Sequence, residues 1–161
     1  MKIISGGQTG ADQGGLRAAR ALGLETGGYA PREYRTEKGV EPWLKDYGLK
    51  ETLSSGYRKR TEYNVRLANG TLLVGIPSAG SILTKAICEG FKAPLFILED
   101  PSRNEIPAFL DWMRANNVLV LNVAGNRESV NPGIGKKVED FLVLALPLYL
   151  SKLLGVDKLE E

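Results

Sequence analysis

Apolar stretches of strand length alternate along this chain with longer stretches in which apolar residues recur at helical spacing. The strand candidates are residues 2–5, 26–29, 49–53, 71–76, 94–99 and 118–123. The helix candidates are residues 11–22, 57–67, 82–90, 104–116 and 136–154, and Pro147 predicts a kink or a division of the last one. Strands that alternate with helices form a mostly parallel sheet. The order therefore predicts an α/β fold of the Rossmann-like, doubly wound type, with helices on both faces of the sheet.

Size and composition favour one globular domain. With 161 residues the chain can bury a core without disulfides or metals, and we expect a single ligand-binding domain over residues 1–161. Its 21 basic and 19 acidic residues leave a net charge of +2, which does not favour nucleic acid as a partner. The apolar run at the start is too short for a signal peptide or a membrane span. We therefore expect no membrane association and a cytoplasmic location.

The chain has one cysteine, Cys88, and no histidine. An internal disulfide is therefore excluded, as are zinc sites built from cysteine and histidine and mechanisms that need a histidine base. We expect neither zinc nor haem. Cys88 stands in an apolar helical pattern, which favours a buried structural thiol over a nucleophile.

Three turns are the places where this fold would bind a ligand, because ligands of such sheets lie beyond the carboxyl ends of the strands. The first turn follows residues 2–5 and is rich in glycine, which lets the backbone approach a ligand closely. The helix that begins next adds unpaired N–H groups and a partial positive charge, so the turn predicts an anion site. The alternative is a tight turn in which Thr9 or Asp12 caps the helix. The binding candidates in this turn are Gly6, Gly7, Gln8, Thr9, Gly10 and Asp12.

The second and third turns follow the strands at residues 71–76 and 118–123. The second combines hydroxyl groups with a glycine and predicts a place for a second phosphate or a ring edge, with helix capping by Ser81 as the alternative. The third has small residues followed by Arg127 and predicts a lip of the pocket or, alternatively, a solvent loop. The binding candidates in these two turns are Ser78, Gly80, Ser81, Thr84, Gly125 and Arg127.

The helix at residues 57–67 is a fourth candidate element. Arg60 and Asn64 stand four residues apart and share a helix face with Tyr57, so this face could grip a phosphate or a heterocycle. Thr61 is its remaining binding candidate. The alternative is a solvated helix on which Arg58 pairs with Glu62.

Five sequence blocks occur in order along the chain. They are Ile4-Ser5-Gly6-Gly7-Gln8-Thr9-Gly10-Ala11-Asp12; Gly28-Tyr29-Ala30-Pro31 with Arg35, Glu37 and Gly39; Tyr57 with Arg60-Thr61-Glu62 and Asn64-Val65; Gly80-Ser81-Ile82-Leu83-Thr84; and Leu121-Asn122-Val123-Ala124-Gly125 with Arg127-Glu128-Ser129. Together they resemble the molybdenum carrier family, a group of Rossmann-like proteins related to the lysine-decarboxylase-like, cytokinin-activating phosphoribohydrolases. Ser81 and Asn126 depart from the family pattern, where glycine and proline are expected.

The resemblance implies a homo-oligomer, dimer or tetramer, that binds the molybdenum cofactor (molybdopterin) or a related pterin phosphate without transforming it. It also adds Arg35 to the candidate binding residues. The related enzymes use a glycine-rich loop followed by a glutamate. Most of those glycines are missing here, which disfavours nucleotide hydrolysis of that kind.

Two further functions stay open. One is an enzyme that acts on a nucleotide or nucleoside phosphate, with Glu89, Glu62 or Asp12 as acid or base and Arg60 or Arg127 stabilising negative charge. The other is a nucleotide sensor that signals through an oligomer interface formed by the apolar residues 141–154. The irregular residues 30–56 are either a lid over the pocket or part of such an interface.

Overall fold

The computed structural model describes residues 1–155, so the last six positions of the expected domain, 156–161, lie outside the described residues. The strands are β1 (Lys2–Ile4), β2 (Glu25–Ala30), β3 (Arg35–Thr36), β4 (Gly39–Val40), β5 (Leu49–Glu51), β6 (Gly70–Val74), β7 (Leu95–Leu98) and β8 (Val120–Gly125). The α-helices are α1 (Ala11–Ala21), α2 (Tyr57–Leu67), α3 (Ala79–Phe91), α4 (Ile106–Ala115) and α5 (Ile134–Leu154). Short 3-10 helices occupy Arg32–Tyr34, Pro42–Tyr47 and Arg103–Glu105.

The main sheet has six parallel strands in the order β5-β2-β1-β8-β6-β7, which confirms the predicted α/β fold. The last strand, β8, enters between β1 and β6. Its register places Asn122 beside Ile4 of β1 and Gly125 beside Val74 of β6. The carboxyl ends of β1, β6 and β8 therefore meet at one edge of the sheet, which is where ligands of such folds bind.

Two glycines explain how closely α1 packs. A Cβ atom at Gly14 would lie 2.3 Å from the carbonyl oxygen of Gly135 in α5, and one at Gly15 would lie 2.7 Å from the Cβ of Val123 in β8. Any side chain at either position would force the elements apart. These helix-interior glycines therefore allow close packing, although glycine disfavours helix formation.

Residues 30–56 fold against the sheet as a short hairpin, β3–β4, flanked by 3-10 helices and followed by β5. A separate apolar cluster holds this segment in place. Tyr34, Leu44 and Leu49 of the segment are buried there against Leu16 of α1 and Ala30 of β2. The segment is irregular in sequence because it consists of short elements, each too brief to show a period.

The structure answers three questions about where the helices begin and whether they are divided. Helix α5 runs unbroken through Pro147, so the proline does not divide it. Helix α3 is capped by Ser78, whose hydroxyl accepts a hydrogen bond from the N–H of Ser81, and Ser81 forms the reciprocal bond to the N–H of Ser78. Ser81 is therefore the third helical residue of a capping box, not the cap. Neither Thr9 nor Asp12 caps α1, which begins after Gly10.

Among residues 1–155 no helix is both long and apolar enough to cross a membrane. Cys88 is buried in α3, as the apolar pattern predicted. It packs beside Val65 of α2 and Ile87 in a small apolar cluster.

Candidate functional site

A cavity of about 460 Å³ opens at the edge where β1, β6 and β8 end. Its walls come from the turn after β1, the cavity-facing side of α2, the first turns of α3, the end of β8 and the loop after it. The lining residues are Gly6, Gln8, Asp12, Tyr57, Arg60, Thr61, Asn64, Ser78, Ala79, Gly80, Leu83, Thr84, Asn122, Ala124, Gly125, Arg127, Ser129 and Val130. All three predicted turns and the predicted helix face therefore contribute to one cavity.

An ion pair between α2 and α1 forms one wall. The Nη1 atom of Arg60 lies 2.9 Å from Oδ2 of Asp12, whose side chain is only 3% exposed. The same carboxylate accepts a hydrogen bond from the N–H of Gln8 at 3.2 Å. Burial raises the pKa of Asp12, although the guanidinium of Arg60 and the hydrogen bonds oppose that rise. Asp12 thus fixes the position of Arg60 at a considerable cost in desolvation.

Two guanidinium groups flank the ring of Tyr57 at the cavity. The Cζ atom of Arg60 lies 5.2 Å from the ring centroid, and that of Arg127 lies 5.4 Å from it. Within residues 1–155, the buried Nε of Arg60 has no hydrogen-bond partner. Two cationic groups with spare N–H donors, next to an aromatic face, suit an anionic ligand that also carries a flat ring.

The hydroxyl groups of the second turn and of α2 serve the helices. Ser78 and Ser81 form the capping box, while Thr61 donates to the carbonyl oxygen of Tyr57 and Thr84 to that of Gly80. Their donor capacity is therefore committed to the protein. The donors that α3 offers to the cavity are the N–H groups of Ala79 and Gly80 in its first turn, because the capping box already uses the N–H of Ser81.

Two asparagines hold the walls together. The side-chain oxygen of Asn126 accepts from the N–H of Ile76 at 2.7 Å, and its Nδ2 donates to the carbonyl oxygen of the same residue at 2.9 Å. Asn64 forms the same kind of paired hydrogen bonds with the backbone of Tyr29, at 2.8 and 3.0 Å. Asn126, which departs from the resembled pattern, therefore joins the turn after β8 to the turn after β6.

The loop after β8 is more than a lip of the cavity. The carboxylate of Glu128 accepts hydrogen bonds from the N–H groups of Gly133 and Gly135 at the start of α5, and the N–H of Glu128 donates to the hydroxyl of Thr9. Ser129 binds the carboxylate of Glu37, which extends from the turn between β3 and β4. The loop thus ties α1, α5 and the β3–β4 hairpin to the cavity wall.

The comparisons with known proteins agree with this architecture. Residues 3–146 match the "Circularly permutated YpsA SLOG family". The chain belongs to this circularly permuted YpsA SLOG family. A crystal structure of a "putative molybdenum carrier protein" from Syntrophus aciditrophicus SB is 39% identical to it, with a TM-score of 0.82 over 90% of this chain and 94% of that chain. No curated protein is significantly similar to the chain. The resemblance indicated by the five sequence blocks is thereby confirmed.

Most of the predicted binding residues of this YpsA SLOG family member line the cavity. They are Gly6, Gln8, Asp12, Arg60, Thr61, Asn64, Ser78, Gly80, Thr84, Gly125 and Arg127. Five others do not line it, namely Gly7, Thr9, Gly10, Arg35 and Ser81. Gly7 and Gly10 have positive φ angles and pack against other parts of the chain: a Cβ at Gly7 would meet Leu44, and one at Gly10 would lie 2.3 Å from the carbonyl oxygen of Asn126. Arg35 is exposed and pairs with Glu33.

The glutamates considered as catalytic groups lie outside the cavity lining. Glu62 pairs with Arg58 on the outer side of α2, as the alternative for this helix predicted, and Glu89 is exposed on α3. Sequence reasoning did not single out Tyr57, Asn122 or Ser129 as binding residues, although all three line the cavity. The helix spacing of Tyr57 with Arg60 was the signal that could have identified that tyrosine.

Proposed function

We propose that this chain is a binding protein for an anionic, phosphate-bearing small molecule and that the cavity holds this ligand. The observation that carries the proposal is that two guanidinium groups, those of Arg60 and Arg127, both lie against the Tyr57 ring. Against these two cations the lining contains one carboxylate, that of Asp12. The phosphate would take its hydrogen bonds from the two arginines and from the N–H groups at the start of α3.

The dimensions of the cavity favour a ligand with a ring system as well as a phosphate. Its volume of about 460 Å³ falls within the usual range for small-molecule sites. Tyr57, Leu83 and Ala124 supply an aromatic ring and apolar surface beside the polar groups. A heterocycle would pack against these residues while its phosphate contacts the arginines.

We propose the molybdenum cofactor or a related pterin phosphate as the ligand. The similarity to the Syntrophus aciditrophicus protein supports this choice. Within the described residues no three histidine, cysteine, aspartate or glutamate side chains come together as a metal site, so the proposal concerns the organic, phosphate-bearing part of the cofactor. Arg60 and Arg127 would hold the phosphate, and the cofactor would supply any redox chemistry elsewhere, after release.

A calorimetric titration of the protein with molybdopterin tests this function. The wild-type protein should bind at micromolar concentration, and Arg127→Gln should weaken binding by about tenfold or more, because a charge-assisted hydrogen bond contributes about 1.5–3 kcal/mol. Arg58→Gln is the matched control, since Arg58 is exposed on α2 and does not line the cavity. Absence of binding by the wild-type protein, or equal losses in both variants, would contradict the proposal.

A nucleotide-processing enzyme is the second candidate function, and the burial of Asp12 is what favours it. Buried carboxyl groups with a raised pKa occur at catalytic sites, and Asp12 lies at the cavity. This function predicts turnover of a nucleotide or nucleoside phosphate that Asp12→Asn abolishes. If a broad panel of nucleotides is not turned over, the enzymatic alternative fails and the binding function stands.

We also propose a homo-oligomer, dimer or tetramer. Part of the stretch 141–154 is core, because Phe141, Leu142, Ala145, Leu146 and Tyr149 are buried in α5. Leu144 and Leu148, one turn apart, are 40% and 55% exposed and supply an apolar strip for a second copy. Size-exclusion chromatography with light scattering tests this proposal, and a monomer at every concentration would contradict it.

A further inference from the structure

The chain places one of its own carboxylates at the edge of the cavity. Glu37 lies in the turn of the β3–β4 hairpin, and its side chain is 15% exposed. It accepts hydrogen bonds from the hydroxyl groups of Thr9 and Ser129 and from the N–H of Ser129. The Nε of Arg127 lies 4.0 Å away. Two separate parts of the chain, the turn after β1 and the loop after β8, thus converge on a single anionic group.

The groups that hold Glu37 are those that hold a phosphate in other proteins. Hydroxyl groups, a backbone N–H and a guanidinium recognise carboxylate and phosphate oxygens in the same way. Ser129 and Arg127 also line the cavity, so the place that the Glu37 carboxylate occupies adjoins the ligand space. A second anionic group of a bound ligand would therefore compete with Glu37 for the same donors.

Gln8 provides an independent observation at the same place. Its side-chain oxygen accepts hydrogen bonds from the N–H groups of Thr9 and Glu37, so the amide lies between the turn after β1 and the hairpin. Gln8 lines the cavity and is only 4% exposed, yet among residues 1–155 its Nε2 has no partner. A buried donor without a partner is costly unless a ligand or water supplies the acceptor.

We propose that the Glu37 carboxylate fills a second anion subsite and that a ligand with a diphosphate group takes this subsite when the β3–β4 hairpin moves away. The proposal rests on the proposed function, because the first anionic group is the one bound by Arg60, Arg127 and the start of α3. The second group would then meet Ser129 and the Nε2 of Gln8 and would share Arg127 with the first. As the hairpin moves, it would carry the Glu37 carboxylate into solvent. The two ends of the hairpin would stay joined to the rest of the chain.

Calorimetry with inorganic phosphate and pyrophosphate tests the subsite in three proteins. They are the wild type, Glu37→Gln and the control Glu33→Gln, which removes the same charge from an exposed position near the hairpin. Glu37→Gln should bind pyrophosphate about tenfold more tightly than the wild type, and phosphate within about twofold. Glu33→Gln should change neither affinity.

The outcomes separate this inference from the proposed function. If phosphate binds all three proteins and Glu37→Gln does not strengthen pyrophosphate binding, the second subsite is wrong and the proposed function stands. If neither phosphate, pyrophosphate nor molybdopterin binds any of the proteins, the proposed function fails, and the subsite fails with it.

Limited proteolysis of the wild-type protein tests the movement without any variant. Lys38 is exposed in the hairpin turn and provides a trypsin site next to Glu37. Pyrophosphate should accelerate cleavage after Lys38 several-fold, whereas phosphate should not. Protection of this bond by pyrophosphate, or no effect at saturating concentration, would overturn the proposal even if Glu37→Gln does not fold.

Discussion

The guanidinium of Arg60 lies against the backbone of Gly6, where a Cβ atom at position 6 would stand 1.6 Å from Nη1. The same Nη1 atom forms the ion pair with Asp12. The first glycine of the turn after β1 therefore makes room for a protein side chain, not for a ligand. The space that sequence reasoning assigned to an anion at this glycine holds the arginine that would bind the anion.

Gly6→Ala should displace the Arg60 guanidinium and break its contact with Asp12. We expect molybdopterin binding to fall by about tenfold or more and the free energy of unfolding to fall by about 1–3 kcal/mol, as for overpacking elsewhere. Calorimetry and urea unfolding measure the two effects. Gly90→Ala is the control, because a Cβ there meets nothing within 4 Å. It should leave binding unchanged and raise stability by about 0.5–1 kcal/mol. Equal binding by both variants would refute this role for Gly6.

Arg60→Met should leave the carboxylate of Asp12 buried without its ion-pair partner. Removal of one partner of a buried pair costs about 3–5 kcal/mol, which urea unfolding near neutral pH would detect. Burial already raises the pKa of Asp12, and loss of Arg60 should raise it further. The penalty of the charged form is therefore present above the folded-state pKa and is relieved as the pH falls through it. A loss of stability that does not shrink on acidification would contradict this account.

The contribution of Glu37 to stability should depend on pH in the opposite sense to that of Asp12, and Glu37→Gln should remove it. Burial tends to raise the pKa of Glu37, but the hydrogen bonds from Ser129 and Thr9, together with Arg127, hold it below its ordinary value of 4.5. Its stabilising contribution is therefore complete above pH 4.5 and is lost as the pH falls through the lower folded-state pKa. The stability difference between wild type and variant, measured by urea unfolding, should be constant near neutral pH and vanish in acid. A difference that grows in acid would contradict the assignment.

Asn126→Ala should remove both hydrogen bonds to Ile76 and loosen the turn after β6. The freed backbone groups should lower the free energy of unfolding by about 1–3 kcal/mol in urea titrations. Asn104→Ala is the control at an exposed position before α4 and should change stability by less than about 0.5 kcal/mol. Equal effects of the two changes would show that the two hydrogen bonds between Asn126 and Ile76 contribute little to stability.

The sheet and its helices could be predicted from the sequence because their signals are local. Each of the six strands of the main sheet overlaps a predicted strand, and the turns after β1, β6 and β8 were correctly expected to face a common edge. The position of β8 between β1 and β6 depends on packing between distant segments, so it could not be predicted from the periodicity of the sequence.

The roles of the site residues were harder to predict because each depends on a distant partner. Thr9 is a residue type that often binds phosphate in a glycine-rich turn. Here its hydroxyl donates to the carboxylate of Glu37, 28 positions away, and accepts from the N–H of Glu128. The hydroxyls of Ser78 and Thr84 likewise serve α3, the first as its N-cap and the second by donating to the carbonyl oxygen of Gly80. Sequence shows which groups can bind an anion. The fold decides which of those groups the protein itself already uses.

Native mass spectrometry of protein purified gently from a bacterium that makes the molybdenum cofactor tests the central claim most directly. We predict a pterin phosphate bound to the wild-type chain, its loss in Arg127→Gln, its retention in Arg58→Gln, and a dimer or tetramer in the same spectra. A bound nucleotide in place of a pterin, or wild-type protein that carries no small molecule and takes up none on addition of molybdopterin, would contradict the claim.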